Sequence, residues 1–288
     1  MSNNTNMMKA KKAKNDEFYT RLEDIEQELK YYTNHFKNKV IYCNCDDSEK
    51  SNFYKYFYLK FDFFNLKKLI CTSYNKDKTS YKTEVFKEND ELKVIKSPLQ
   101  QNGDFRSDEC VELLKESDIV VTNPPFSLFR DFIDILMEHN KKFLMIGNMN
   151  AVTYKNIFSL IKDNKVWFGY TNPKIFIQPD DTIKKFGNIC WFTNLEIDKR
   201  NEELILYKKY NHVDYPKYDN YDAINVDKIA DIPCDYYGEM GVPITLLTKY
   251  NPNQFEIIDI DKNITSDNKR TLLNGKRKYA RIIIKRKL

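Results

Sequence analysis

The 288-residue chain has no hydrophobic run long enough to cross a bilayer, and its opening, Met1-Ser-Asn-Asn-Thr5, is polar and lacks the apolar core of a signal peptide. These absences predict a cytoplasmic protein with no membrane partner. Histidine is scarce, at three residues, and the six cysteines (Cys43, Cys45, Cys71, Cys110, Cys190 and Cys234) are scattered. Only Cys43 and Cys45 lie close together, and no second pair or histidine cluster completes a zinc site. No metal is therefore expected, and reduced core thiols are the reading. A strong charge bias is missing as well. A net charge of +5 and a pI near 8.6 permit nucleic-acid binding without arguing for it. The chain has no internal repeat. Apolar residues are not lacking: at 41% hydrophobic the chain can bury a core, and the mean hydropathy of -0.67 reflects abundant Lys, Asn and Tyr.

Basic residues gather at the two ends, in Lys9-Ala-Lys-Lys-Ala-Lys14 and in Lys276-Arg-Lys278 through Arg281 to Lys285-Arg-Lys287. Residues 1–15 read as a mobile basic arm, serving either a nucleic acid or simple solvation. The most informative stretch is Asp118-Ile-Val-Val-Thr-Asn-Pro-Pro-Phe126, followed by Ser127-Leu-Phe-Arg-Asp-Phe-Ile133. Ile119, Val120 and Val121 make a short β-branched run, the pattern of a strand buried on both faces. Pro124 and Pro125 end it, since neither donates a ladder hydrogen bond and each disfavours helix in the residue before it. Ser127 is placed to cap the next helix, whose apolar stripe is Leu128, Phe129, Phe132, Ile133 and Leu136. A rigid turn between strand and helix is where open α/β sheets bind ligands.

Upstream, Leu22, Ile25, Leu29, Tyr32 and Phe36 line one helical face. Lys39–Cys45 is a first strand, Ser48 is expected to cap an aromatic helix carrying Phe53, Tyr54, Phe57 and Tyr58, and Leu69–Thr72 is a second strand. Strand, helix, strand is the unit of a parallel sheet. Tyr81–Phe86 and Glu91–Ile95 alternate around Lys87-Glu-Asn-Asp90 and predict an inserted β-hairpin. Ser107 caps a helix leading into the Asp118–Phe126 stretch, Lys142–Gly147 is a buried strand, Thr153 opens a short helix, and Val166–Phe168 and Asn188–Thr193 read as strands. From 196 the texture changes to Tyr, Lys, Asp and Asn without a clean period, with a turn-rich loop at Gly238–Pro243 and late strands at Phe255–Ile260 and Ala280–Ile284. The expected domains are the arm at 1–15, a catalytic portion at 16–195 and an appended C-terminal portion at 196–288.

Asn123-Pro-Pro-Phe126 at a strand end resembles the catalytic motif of amino-methyltransferases that use S-adenosylmethionine (SAM). With Asn15-Asp-Glu-Phe-Tyr-Thr20, Tyr42-Cys-Asn-Cys-Asp-Asp47, Gly103-Asp-Phe-Arg-Ser107, Gly187-Asn-Ile-Cys-Trp-Phe-Thr193, Tyr218-Asp-Asn-Tyr-Asp-Ala-Ile-Asn225 and Asn274-Gly-Lys-Arg277, the order of segments resembles the EcoRI-type family of adenine-specific DNA methyltransferases over most of 15–288. The resemblance implies a Rossmann-like α/β fold with a mostly parallel sheet, and N6-methyladenine in double-stranded DNA as the product. It implies target-DNA recognition by 196–288, and a monomer. The amide oxygen of Asn123 and the carbonyl of Pro124 would accept the two amino hydrogens of the target base, which favours the transition state in which positive charge grows on that nitrogen. Pro125 stiffens the turn, and Phe126 offers a stacking face worth roughly 1–3 kcal/mol. By the same resemblance Phe18, Tyr19 and Thr20 contact the methionine part of SAM, and Asp104, beside Phe105, accepts from the cofactor's adenine amino group. The alternatives are a helix entry and an Asx-turn. Amino-methyltransferases commonly have a glycine-rich turn after the first strand, but Asn44-Cys-Asp-Asp47 has no glycine, so the turn bends differently, with Cys45 beside the cofactor and Asp46 or Asp47 reaching it by side chain. No acid follows Leu69–Thr72 for the ribose.

Other substrates fit the motif too, since Asn-Pro-Pro with an aromatic also serves RNA and protein glutamine. A non-catalytic DNA-binding module of the same fold is a further reading. No Pro-Asp…Glu-x-Lys nuclease stretch is present, so a separate cognate restriction endonuclease, or none, is expected.

Overall fold

A computed structural model of the chain describes residues 18–75, 80–178, 180, 182–264 and 270–287. The basic arm expected at 1–15 lies outside the described residues. The chain forms two compact units. The first runs to Ala151 and resumes over Phe168–Leu195; the second takes Val152–Trp167 and Glu196 onward.

The first unit is the expected α/β architecture. Its strands in chain order are β1 (Tyr19–Thr20), β2 (Val40–Cys43), β3 (Lys68–Thr72), β4 (Tyr81–Glu88), β5 (Glu91–Pro98), β6 (Ile119–Thr122), β7 (Lys142–Asn148), β8 (Trp167–Phe168), β9 (Ile175–Ile177), β10 (Ile183–Lys185) and β11 (Ile189–Thr193). The large sheet has the order β5-β4-β3-β2-β6-β7-β11-β8. Its centre, β3-β2-β6-β7, is parallel throughout, and β4 and β11 join it antiparallel on either side. The inserted hairpin is therefore not free-standing: β4 pairs with β3 along Leu69↔Val85 to Thr72↔Lys82, and the ribbon extends the sheet. All four residues of β6 are buried, as a strand covered on both faces requires. Phe129, Phe132, Ile133 and Leu136 of the helix Phe129–Glu138 are buried too, each worth about 1.5–3 kcal/mol.

Three helix starts differ from the sequence reading. Ser51, not Ser48, caps the helix Asn52–Leu59, accepting from the amides of Phe53 and Tyr54 at 3.1 and 3.3 Å, while Ser48 pairs its hydroxyl with Thr83. Ser127 sits inside a 3-10 turn, Phe126–Leu128, because the two prolines delay the helix to Phe129. Thr153 ends a 3-10 turn, and the next helix begins at Lys155. Ser107 caps Asp108–Glu116 as expected, accepting from Cys110 N.

A buried carboxylate ties the first helix (Leu22–Leu29) to the sheet's far side. Glu28 is fully buried, with Oε1 accepting from the Tyr32 hydroxyl and Tyr170 N, both at 2.8 Å, and Oε2 accepting from Thr171 N and Oγ1 at 2.6 and 2.7 Å. Burial pushes its pKa up, and the four donors offset this only in part. Gly169 allows the approach, since a Cβ there would lie 2.1 Å from Oε1.

The second unit has its own sheet, with strands β12 (Lys217–Tyr218), β13 (Tyr221–Asn225), β14 (Met240–Pro243), β15 (Phe255–Ile260) and β18 (Arg281–Arg286), in the order β12-β13-β14-β18-β15. A separate ribbon, β16 (Leu272–Leu273) with β17 (Lys276–Arg277), precedes β18. The turn-rich loop expected at Gly238–Pro243 is in fact largely β14, an inner strand pairing in parallel with β13 and antiparallel with β18. Its glycine is needed for packing: a Cβ on Gly241 would meet the Tyr218 hydroxyl at 2.2 Å.

Asp261 follows β15 and is buried, with neither carboxylate oxygen hydrogen-bonded. Burial pushes its pKa up to about 6 from an ordinary 3.8, only partly offset by Arg270 and Arg281. Because the folded state holds this proton more tightly than the unfolded chain, stability is unaffected below pH 3.8 and falls as the pH rises toward 6. Asp261→Asn is expected to stabilise the protein at pH 7.5 by on the order of 2 kcal/mol and to change little at pH 4. Urea unfolding at the two pH values checks this; equal effects at both would contradict it.

Candidate active site

The C-terminal ends of β2, β3 and β6 converge on one set of side chains. After β2, Cys45 adopts a left-handed conformation (φ 66°), the position a glycine would ordinarily take, at a cost of about 1–3 kcal/mol for a residue with a Cβ. This is how the glycine-free turn bends. It turns Asp46 inward. Asp46 Oδ1 accepts from the Ser51 hydroxyl at 2.7 Å and Oδ2 from the Thr122 hydroxyl at 2.6 Å, and its backbone N–H donates to Thr72 O at 3.0 Å. One carboxylate thus joins a helix cap, the turn after β2 and the residue preceding Asn123. Asp47 lies further out, accepting from Glu49 N and from the Tyr81 hydroxyl.

At the end of β6 the amide nitrogen of Asn123 donates to the backbone carbonyl of Phe18. That bond sets which way the amide faces. Its oxygen, Oδ1, is buried and has no hydrogen-bond partner. Buried polar atoms without partners are uncommon, and this one lies at a turn between strand and helix with its acceptor capacity unused. Pro124 is buried and Pro125 and Phe126 are half-buried beside it.

Phe18 is buried, and its ring lies 6.2 Å from that of Phe126 at 29°. Phe186 stands edge-on to both, at 5.0 and 6.4 Å. It arrives on a small antiparallel sheet, β1-β9-β10, in which Thr20 pairs with Phe176 and Phe176 with Lys184. The Lys184 ammonium rests 5.0 Å from the Phe18 ring centre and 5.5 Å from that of Phe186. Sequence reasoning did not single out Phe186, Lys184 or the Phe18 carbonyl. The short β9–β10 pairing that delivers Phe186 has no strong periodic signature, and a backbone carbonyl has none at all. Tyr19 pairs with Ile177. Thr20 is buried and its hydroxyl oxygen, like Asn123 Oδ1, has no partner.

Gly103 carries the next loop against the end of β3. Its φ is +74° and a Cβ would lie 2.0 Å from Ser73 O, so only glycine fits. Asp104 follows as an Asx-turn, Oδ1 accepting from the backbone and Nε of Arg106, both at 2.9 Å, and Oδ2 from Nη2 at 2.8 Å. The guanidinium of Arg106 holds its pKa below the usual carboxylate range. Phe105 is buried, edge-on to Phe132 at 4.9 Å. The structure therefore gathers Phe18, Asn123 and Phe126 into one cluster, sets Thr20 in the strand beginning at its edge, gives the Asp46 carboxylate internal partners, and places Asp104 and Phe105 on a separate loop. Among the described residues no group of His, Cys, Asp and Glu is placed to hold a metal ion, and no helix is long and apolar enough to cross a membrane.

The chain matches the family described as adenine-specific methyltransferase EcoRI over residues 6–287. It is 48% identical to the type II methyltransferase M.EcoRI of Escherichia coli, across 97% of this chain and 95% of that one. It is 44% identical to the type II methyltransferase M.MgeORF184P of Mycoplasma genitalium, across 96% and 98%, and 42% identical to M.MpnI of Mycoplasma pneumoniae, across 97% of each. No solved structure matches it. A partnerless amide oxygen in an Asn-Pro-Pro-Phe turn and full-length similarity to these enzymes agree: the chain belongs to the EcoRI family of adenine-specific methyltransferases.

Proposed function

We propose that the protein is a site-specific DNA methyltransferase that moves a methyl group from SAM to N6 of an adenine in duplex DNA, on a Rossmann-like catalytic unit with the second unit reading the target. The observation that carries this is Asn123 Oδ1, a buried acceptor with no partner, held in orientation by the Phe18 carbonyl. An adenine amino group has the donor it lacks. Adenine inside a duplex cannot reach it, so the base rotates out, at a cost of a few kcal/mol. It stacks on Phe126, with Phe186 at the rim, and donates its two amino hydrogens to Asn123 Oδ1 and the Pro124 carbonyl.

SAM supplies a methyl group already activated on a sulfonium, and the orphaned Thr20 hydroxyl fits a polar ligand lying beside it. Phe18, Tyr19 and Thr20 would hold its methionine part and the turn at Cys45–Asp46 would lie beneath it. Asp104 uses three of about four acceptor positions on Arg106 and keeps one for the cofactor's adenine amino group, above Phe105. Asn123 and Pro124 localise the N6 lone pair and steady the positive charge that develops there. No side chain in the motif takes the proton at neutral pH, so water receives it. The protein acts as a cytoplasmic monomer, beside a separate cognate endonuclease where one exists.

The test is transfer of labelled methyl from SAM to duplex DNA, with single-stranded RNA in parallel, followed by nucleoside analysis. N6-methyladenine in DNA is expected. Label in RNA alone would move the substrate while keeping the chemistry. Label in neither, with SAM bound, would overturn the DNA assignment.

A further inference from the structure

The ribbon β16–β17 in the second unit is built like a probe. Leu272 pairs with Arg277 and Leu273 with Lys276, around Asn274-Gly275. Both turn residues have positive φ, 51° and 71°, the two-residue turn whose twist matches a tight hairpin. Isolated two-stranded ribbons are marginal in water. This one is clamped. The Asp219 carboxylate accepts from the turn amides of Asn274 and Gly275 at 3.3 and 2.7 Å, Asn220 Oδ1 accepts from Leu272 N at 2.8 Å, and Asp219 N donates to Leu272 O at 2.9 Å. The backbone of the tip is thus held by the turn between β12 and β13, and the Asp219 carboxylate is occupied by its amides.

The charges around the ribbon are sorted. Lys278 and Arg281, at its base, are neutralised by Asp227 at 3.4 and 2.9 Å, and Lys217 by Asp222 at 2.6 Å. Lys276 and Arg277 are exposed and have no acid partner among the described residues, and Tyr279 beyond them is 88% exposed. A solvated surface would not need a clamped backbone or a paired base beneath an unpaired tip. A two-stranded β-ribbon fits the major groove, about 12 Å wide, and an exposed guanidinium there reads guanine O6 and N7 with both prongs of its fork.

We propose that the ribbon Leu272–Arg277 enters the major groove of the target duplex, with Arg277 reading a base edge and Lys276 contacting a phosphate. This rests on the DNA reading above and deepens it. The test expresses wild type, Arg277→Ala, Arg277→Lys and Lys276→Ala in a host lacking adenine methylation, and maps modified adenines by long-read sequencing. Purified proteins are then titrated with the mapped site and a scrambled duplex over a range of salt. Wild type should mark one sequence. Both Arg277 variants should relax it at one position, with preference for the mapped site falling about 5- to 150-fold. Arg277→Lys, which keeps the charge, should keep the wild-type salt dependence. Lys276→Ala should weaken both duplexes alike and reduce the salt slope by about one. Unchanged site preference in the Arg277 variants overturns the proposal, as does an even loss on both duplexes, which would make Arg277 a phosphate contact. If wild type marks no DNA, the underlying DNA reading itself fails, and the control shows which of the two has fallen.

Discussion

Asn123→Ala is expected to lower the methyl-transfer turnover by at least about 10²- to 10³-fold while SAM affinity changes by less than about threefold. The size follows from what is removed, the acceptor proposed to face the nitrogen where charge develops, a loss that typically raises the barrier by about 3–4 kcal/mol. The sparing of SAM follows from the geometry: among the described residues this amide's hydrogen bond is from its nitrogen to the Phe18 carbonyl, so truncation leaves β1 paired to β9. Single-turnover transfer and equilibrium SAM binding on the same preparation measure the two quantities. Equal losses in both would mean that Asn123 supports the cofactor site rather than the reacting base.

Glu28→Ala is expected to be the most damaging single change to stability in the first unit, at about 3–5 kcal/mol. Two part-buried backbone amides, the part-buried Thr171 hydroxyl and the buried Tyr32 hydroxyl lose their acceptor at once. The Thr171 hydroxyl also accepts from Trp191 Nε1 at 3.2 Å, so the loss spreads into β11. Glu28→Gln should recover little, because its NH₂ would face amide donors. Midpoints from urea unfolding, read with the slope, decide the matter. A cost under about 1 kcal/mol in the alanine variant would show that the segment after β8 is held by packing alone.

Much of the first unit's core could be read from residue order because its signals are local. Ile119–Val121 is β-branched and uninterrupted, Pro124 and Pro125 forbid any continuation, and Phe129, Phe132, Ile133 and Leu136 repeat at helical spacing. Helix starts were less legible. Ser48 and Ser51 are equally good caps by type, and which one serves depends on where Asp46 and Thr83 lie, contacts made across the sheet. Met240–Pro243 reads as a loop because Gly241 and Pro243 break the strand pattern, yet β18 on one side and β13 on the other supply the pairing, and Tyr218 occupies the space a side chain would need. Phe186 and Glu28 illustrate the remaining limit: each matters through partners far away in sequence, and a single aromatic or acid has no pattern of its own.

The bond from Asn123 to the Phe18 carbonyl spans 105 residues of chain. It joins the group proposed to hold the target base to the strand proposed to hold the methyl donor. Whichever ligand arrives first and steadies Phe18–Thr20 or Asn123 spares the other the cost of ordering that pair. On that proposal the affinities are reciprocal: SAM would tighten the extruded adenine by the same factor that the adenine tightens SAM. A hydrogen bond that serves orientation in one site becomes, across two, a thermodynamic link that favours the complex in which both substrates are present.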